Sequence, residues 1–192
     1  MKIYDISQEL FGGKVYPGDP VPAYERICAI DSGDFYNLTK ITMGAHNGTH
    51  IDAPFHFYKE GKTIDQLELS RCVGPCTVID LTDHNQASFL HILEHCHKRL
   101  LLKGNIQVTL DMAKRMNQFG IVLVGVEGQS VGDADAPAPV HLELLRENVV
   151  LLEGLVLEKV SVGEYFLSAA PLKAGGSDGA PCRAILLDFE EE

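Results

Sequence analysis

Three histidines and an aspartate stand within the eleven residues from His46 to His56, in the run His46-Asn47-Gly48-Thr49-His50-Ile51-Asp52-Ala53-Pro54-Phe55-His56. Imidazole and carboxylate are the usual donors to zinc and manganese, and a catalytic centre leaves one position open for water. Side chains alternate along an extended chain, so a strand through Ile51 sends His50 and Asp52 to the same side. Gly48 permits a bend that brings His46 round towards them. Pro54 fixes the backbone just ahead of His56, which then serves as a ligand or as a proton carrier. A lone loop histidine is usually a solvated polar residue. Four such groups interleaved with Gly and Pro read instead as a metal site.

A frame must position these groups. The 192 residues suffice for a single domain with its own core, expected over 1–192, without disulfides or structural metal. A formal net charge of −11 argues against nucleic acid or an anionic membrane as partner, and is compatible with binding divalent cations. Five cysteines, an odd number without framework-like spacing, suggest reduced thiols in a cytoplasmic protein. Cys72 and Cys76 flank Gly74-Pro75 and read as packing residues. The N-terminus starts as a strand with no apolar signal core, and no apolar run is long enough to cross a bilayer.

Along the chain, strands are expected over Ile3–Leu10, Tyr36–Met43, Val73–Leu81 and Arg99–Gly104. The apolar run Ile121–Val126 suits a central strand, and Val149–Leu152, Gly163–Ala169 and Arg183–Phe189 supply more. Helices are expected over Ser88–Lys98, over Leu110–Phe119 with Thr109 as N-cap, and from Pro139 to Arg146. Mixed strands with two or three helices indicate an α/β domain.

Two further clusters have plain readings. His91 and His95 lie four apart beside Glu94 and His97, but the HExxH order is absent and no third ligand is evident, so they read as a surface helix face. Gly175-Gly176-Ser177-Asp178-Gly179 lacks the lysine and helix of a phosphate loop and reads as a turn that could line an active site.

The histidine run, extended to Phe57, resembles the HxGTHxDxPxHF signature of the metal-dependent cyclase-like hydrolases, a family whose best-known members are bacterial kynurenine formamidases. Other segments are similar in order along the chain. Tyr16-Pro17-Gly18-Asp19-Pro20 resembles an aromatic-Pro-Gly-Asp segment, and Gly125-Val126-Glu127-Gly128-Gln129-Ser130-Val131 a GVDxxSV strand end. His141 with Leu144-Leu145 resembles an HxxLL element, Glu153-Gly154-Leu155 an ExL element, and Asp178 to Ala184 a DGxPxRA segment. The resemblance implies a compact β/β/α fold with a mixed sheet and a divalent metal, Zn²⁺ or Mn²⁺, one or two per subunit. It implies His46, His50 and Asp52 as ligands of one ion, with Asp52, His141 and Glu153 holding a second. It places proton transfer on His56 and substrate contacts on Tyr16 and Ser130. By their residues alone, His141 reads as a surface histidine at a helix end and Glu153 as a loop carboxylate. Glu127 and Tyr16 depart from the family's usual Asp and Trp, and the span from Leu81 to the Arg99–Gly104 strand is short, which implies that a covering insertion is missing.

These readings imply a small-molecule hydrolase of an amide-type carbon–nitrogen bond, with N-formylkynurenine the family's best-known substrate and a homodimer or homotetramer as the assembly. Opening of a cyclic amide of the isatin kind, a metal-dependent cyclisation or dehydration, and a non-catalytic metal-binding module are the alternatives. An acid–base histidine beside the ligands argues against the last, because a purely structural site should be closed.

Overall fold

The computed structural model describes residues 1–81, 86–104, 106–133 and 135–189. Its strands are β1 (Lys2–Asp5), β2 (Ala23–Cys28), β3 (Leu38–Thr42), β4 (His50–Asp52), β5 (Val73–Asp80), β6 (Arg99–Lys103), β7 (Leu123–Val126), β8 (Val150–Glu153), β9 (Gly163–Ser168), β10 (Gly179–Pro181) and β11 (Ile185–Asp188). The α-helices are α1 (Leu69–Cys72), α2 (Gln86–His95), α3 (Leu110–Gln118) and α4 (Ala138–Arg146). No helix among the described residues is long and apolar enough to cross a membrane.

Nine strands form one mixed sheet in the order β1-β11-β9-β5-β6-β7-β8-β4-β10. The centre is parallel, β5-β6-β7-β8, and α2, α3 and α4 provide the successive crossovers. The flanking pairs are antiparallel. The central strands are apolar on both sides because both sides are covered. In β6, Leu100 and Leu102 join the layer containing Phe89, Leu93, Met116 and Leu144 from the helices, whereas Leu101 points into the opposite layer with Leu123, Leu152 and Leu167. Gly125 is required by this packing: a Cβ there would lie 2.3 Å from Leu101 Cδ2 and 2.8 Å from Leu155 Cδ1.

The expected α/β class and most elements are present, with instructive differences at their ends. β1 stops at Asp5 rather than Leu10, because Ile6 turns inward to donate to Ala184 O and Ser7 then bridges Leu155. α2 ends at His95, and His97 N is taken by Thr77 Oγ1, which docks the chain onto β5 before β6 begins. Thr109 does cap α3, accepting from Met112 N at 3.3 Å. Cys72 and Cys76 are buried, and their thiol pKa values are pushed up by burial to about 11 and about 12, so they are packing groups.

β2 and β3 form a separate two-stranded antiparallel ribbon. All of its residues are exposed except Cys28, which is half-buried. Its tip is shaped by Asp34, which accepts from Ala29 N at 2.7 Å, and by Asn37, which accepts from Ile30 N at 3.0 Å. The ribbon leaves the body just after Asp19 and returns just before His46, so it is rooted at the histidine segment.

Candidate active site

Gly48 adopts φ +65°, the left-handed bend that turns the chain after His46, and β4 follows at once. β4 pairs with β8 in the register His50↔Glu153 and Asp52↔Leu151. Alternation along β4 places His50 and Asp52 on one side, their Nε2 and Oδ1 3.4 Å apart. The register brings Glu153, at the carboxyl end of β8, to His50, with Oε2 3.5 Å from Nε2. α4 begins just outside the same strand ends, where its first turn delivers His141. His141 Nε2 lies 3.4 Å from Glu153 Oε1 and 3.6 Å from Asp52 Oδ2. A site beyond the carboxyl ends of parallel strands is the usual position for an open α/β sheet.

All four side chains are buried, His141 and Glu153 at 3% exposure each, which corrects the reading of His141 as a surface histidine, and Glu153 ends a strand rather than lying in a loop. Nothing local announces this. A helix start and a strand end twelve residues apart converge only through the fold.

The two buried imidazoles are oriented from behind. His50 Nδ1 donates to Gly48 O at 3.0 Å and His141 Nδ1 donates to Pro137 O at 2.9 Å, which turns both Nε2 atoms towards the carboxylates. Burial alone would lower the His50 and His141 pKa values, but the facing carboxylates of Asp52 and Glu153 carry both up to about 10. Burial alone would raise the Asp52 pKa, but the facing imidazoles of His141, His46 and His50 hold it well below the ordinary carboxylate range. Glu153 Oε1 also accepts from Val131 N at 2.7 Å.

These donors fit a divalent cation. Asp52 Oδ2 is fully buried without a hydrogen-bond partner, an arrangement that needs an explanation such as an ion. Two nitrogen or oxygen ligands about 2.1 Å from one tetrahedral ion stand roughly 3.4 Å apart. The spacings of His50, His141, Asp52 and Glu153, 3.4 to 3.6 Å, match that edge. The set is all nitrogen and oxygen, which suits zinc or manganese.

His46 and His56 stand at the half-buried mouth, with ring centroids 4.2 Å apart. His46 Nδ1 is 2.8 Å from Asp52 Oδ1, closer than the other donors stand to one another, and its Nε2 is 2.9 Å from Asp178 Oδ2. Burial alone would lower its pKa, but Asp52 and Asp178 raise it. His56 follows Pro54 in a short 3₁₀ turn and reaches the same Asp178 Oδ2 through Nδ1 at 3.2 Å. Asp178 is thus a site residue that sequence reasoning left unassigned. Its signal was present, since the Gly175–Gly179 turn was read as a possible lining of the active site.

A cavity of about 150 Å³ opens over these groups and is lined also by Tyr16, Phe57, Gln129 and Ser130. Glu127 lies outside it and is held by the backbone: its two oxygens accept from Gly104 N at 2.6 Å and from Leu157 N at 2.7 Å. His91, Glu94 and His95 cluster on the exposed face of α2, away from this centre.

Residues 4–125 match the model of the family described as "Putative cyclase". The chain belongs to this family. Among curated cyclase-family relatives, the kynurenine formamidase of Geobacillus thermodenitrificans is 38% identical over 200 residues, with 95% of each chain covered. That of Bacillus anthracis is 34% identical over 203 residues, covering 96% of this chain and 97% of the relative. A structure described as a potential metal-dependent hydrolase with cyclase activity superposes with a TM-score of 0.83 at 32% identity over 99% of both chains. An isatin hydrolase bound to a product analogue superposes with a TM-score of 0.83 at 23% identity, covering 98% of this chain and 93% of that one, a likeness of fold.

Proposed function

We propose that this cyclase-family chain hydrolyses the formamide of an N-formylated arylamine, with N-formylkynurenine the substrate that its relatives' name suggests. The chain is a metal-dependent hydrolase of an amide-type bond. The observation that carries the reading is His56, its Nδ1 engaged by Asp178, at the mouth of a buried His50–Asp52–His141–Glu153 cluster. When bound, a divalent ion, Zn²⁺ or Mn²⁺ at one or two positions, lowers the pKa of a water and polarises the scissile carbonyl. His50, Asp52, His141, Glu153 and His46 would hold it. His56 takes the proton of the attacking water on Nε2 and returns it to the departing amine, while Asp178 keeps Nδ1 protonated and the ring in place. Tyr16 and Ser130 line the approach and contact the substrate.

The deciding experiment measures kynurenine release from N-formyl-L-kynurenine by protein that has been chelated and then reloaded. Turnover should vanish on chelation and return with zinc or manganese. Metal-loaded protein that binds its ion but releases no kynurenine would refute the formamidase reading and direct attention to cyclic amides.

The exposed ribbon supplies the partner part of this reading. A two-stranded ribbon is marginal on its own. Tyr24, Ile30, Phe35, Tyr36, Leu38 and Ile41 are all more than two-fifths exposed. At roughly 200 Å² for each large side chain they present on the order of 700 Å² of apolar surface. Tyr24 and Ile41 share one face while Leu38 points to the other, and summed over both faces the total approaches the roughly 800 Å² that each side contributes to a standard interface. A second copy of the chain, joined through the ribbon in a two-fold dimer, accounts for it. In light scattering, Phe35→Asp with Tyr36→Asp should convert a dimer to a monomer; a wild-type chain that is already monomeric would end this proposal.

A further inference from the structure

The cavity over the metal-fitting cluster, at about 150 Å³, has room for a reacting amide and little more. Small-molecule pockets usually enclose roughly 300–1,000 Å³. A second cleft of about 560 Å³ lies alongside, and Tyr16, Gln129 and Ser130 line both. The two share that wall, so the small reaction chamber has a larger antechamber beside it.

The chemistry of the antechamber is uneven. Its walls include Pro17 and Ile106, together with the polar side chains of Gln107, Gln129 and Lys14. Lys14 is the only lysine or arginine lining either cavity among the described residues. Glu127 also lines the cleft, but each of its oxygens already accepts a backbone N–H. At the shared wall, the buried Ser130 hydroxyl has no partner within the protein, so a polar group of a ligand is expected to meet it. A chain of net charge −11 repels carboxylates over most of its surface, which makes a lone cation in a cleft beside the reaction chamber a selective feature.

We propose that this cleft receives the end of the substrate remote from the scissile amide and that Lys14 anchors a carboxylate there. The enzyme then prefers aryl formamides that bear an acid on the side chain over neutral ones of the same size. The inference rests on the formamide-hydrolase reading above, and adds the charge of the substrate's far end and the residue that reads it. Lys14 acts in binding alone: it is exposed, lies outside the reaction chamber, and has no part in proton transfer.

The test compares kcat/KM for N-formyl-L-kynurenine with that for its α-carboxamide, an isostere that lacks the carboxylate charge and keeps the α-ammonium, on metal-loaded enzyme. A charge-assisted hydrogen bond, partly screened at an exposed lysine, predicts a preference for the acid of about tenfold. Lys14→Met should collapse that ratio towards one through KM rather than kcat, and Lys14→Arg should restore it. A ratio that survives Lys14→Met, or a wild-type enzyme that treats acid and carboxamide alike, would overturn the proposal. Should the wild type hydrolyse neither compound, the formamidase reading fails on its own, and equilibrium binding then judges the subsite. Kynurenine is expected to bind wild-type protein about tenfold more tightly than Lys14→Met; equal affinities, or no binding at all, would dismiss the anchor.

Discussion

Asp52→Asn is expected to lower metal affinity by more than about a hundredfold, beyond what loss of a merely supporting residue costs. Asp52 is 1% exposed, and its oxygens face three imidazoles, with Oδ1 towards His46 and His50 and Oδ2 towards His141. Asparagine preserves the shape but removes the charge and turns an amide donor towards nitrogens that must themselves act as donors or ligands. Competition with a chromogenic chelator measures the loss, and formamide hydrolysis at limiting metal should fall with it. An asparagine variant that binds metal as the wild type does would remove Asp52 from the ligand set.

The same residue sets the pH dependence of the metal-free protein. His50 and His141 are raised from 6.5 to about 10, so their contribution to stability is complete below pH 6.5 and is lost as pH rises through about 10. Asp52 is depressed below 3.8, so its contribution holds above that value and is lost as pH falls through its folded value. The metal-free chain is therefore expected to be most stable between these limits. A metal ion needs both Nε2 atoms unprotonated, so uptake near neutrality should expel protons and tighten as pH rises. Calorimetry in two buffers of different ionisation heat counts those protons. Their number should shrink in Asp52→Asn, which withdraws one of the two carboxylates that hold them.

How far the sequence disclosed this site depended on the distance over which each residue acts. His46, His50 and Asp52 were legible because a bend at Gly48 and two-residue alternation are local, and β4 needs only three residues to express them. His141 and Glu153 were legible only through the family resemblance, since their meeting depends on the register of β4 against β8 and on where α4 starts. Asp178 escaped assignment for a related reason. It lies on the turn before β10, and its contact with His56 spans 122 residues. Ile121–Val126 read as a central strand because it is apolar on both sides, but the strand Ala23–Cys28 went unread. Period-two patterning records a buried face, and β2 has none within its own chain. The failure and the proposed dimer have one physical origin: the ribbon's packing partner is not encoded among its neighbours.

His56→Ala is expected to lower kcat about 10²- to 10⁴-fold while metal content stays at the wild-type level. The geometry separates these outcomes. His56 touches Asp178 and stacks near His46, and a ligand atom of its ring lies within 4.8 Å of ligand atoms of His46 and Asp52, but Asp52 itself is already faced by His46, His50 and His141. Its removal therefore deletes a proton carrier without deleting a member of the buried donor set. Asp178→Asn should give a smaller loss. The imidazole remains, but its Nδ1 proton is no longer fixed by a carboxylate, so the proton-accepting tautomer at Nε2 becomes less populated and kcat should fall while KM holds. That split marks Asp178 as a positioning residue, because a merely structural role would disturb KM and folding together with kcat. Metal analysis of both variants completes the argument. If metal falls in step with activity in His56→Ala, His56 is a ligand, and the proton carrier has to be sought among the remaining groups at the mouth, with His46 the first to examine.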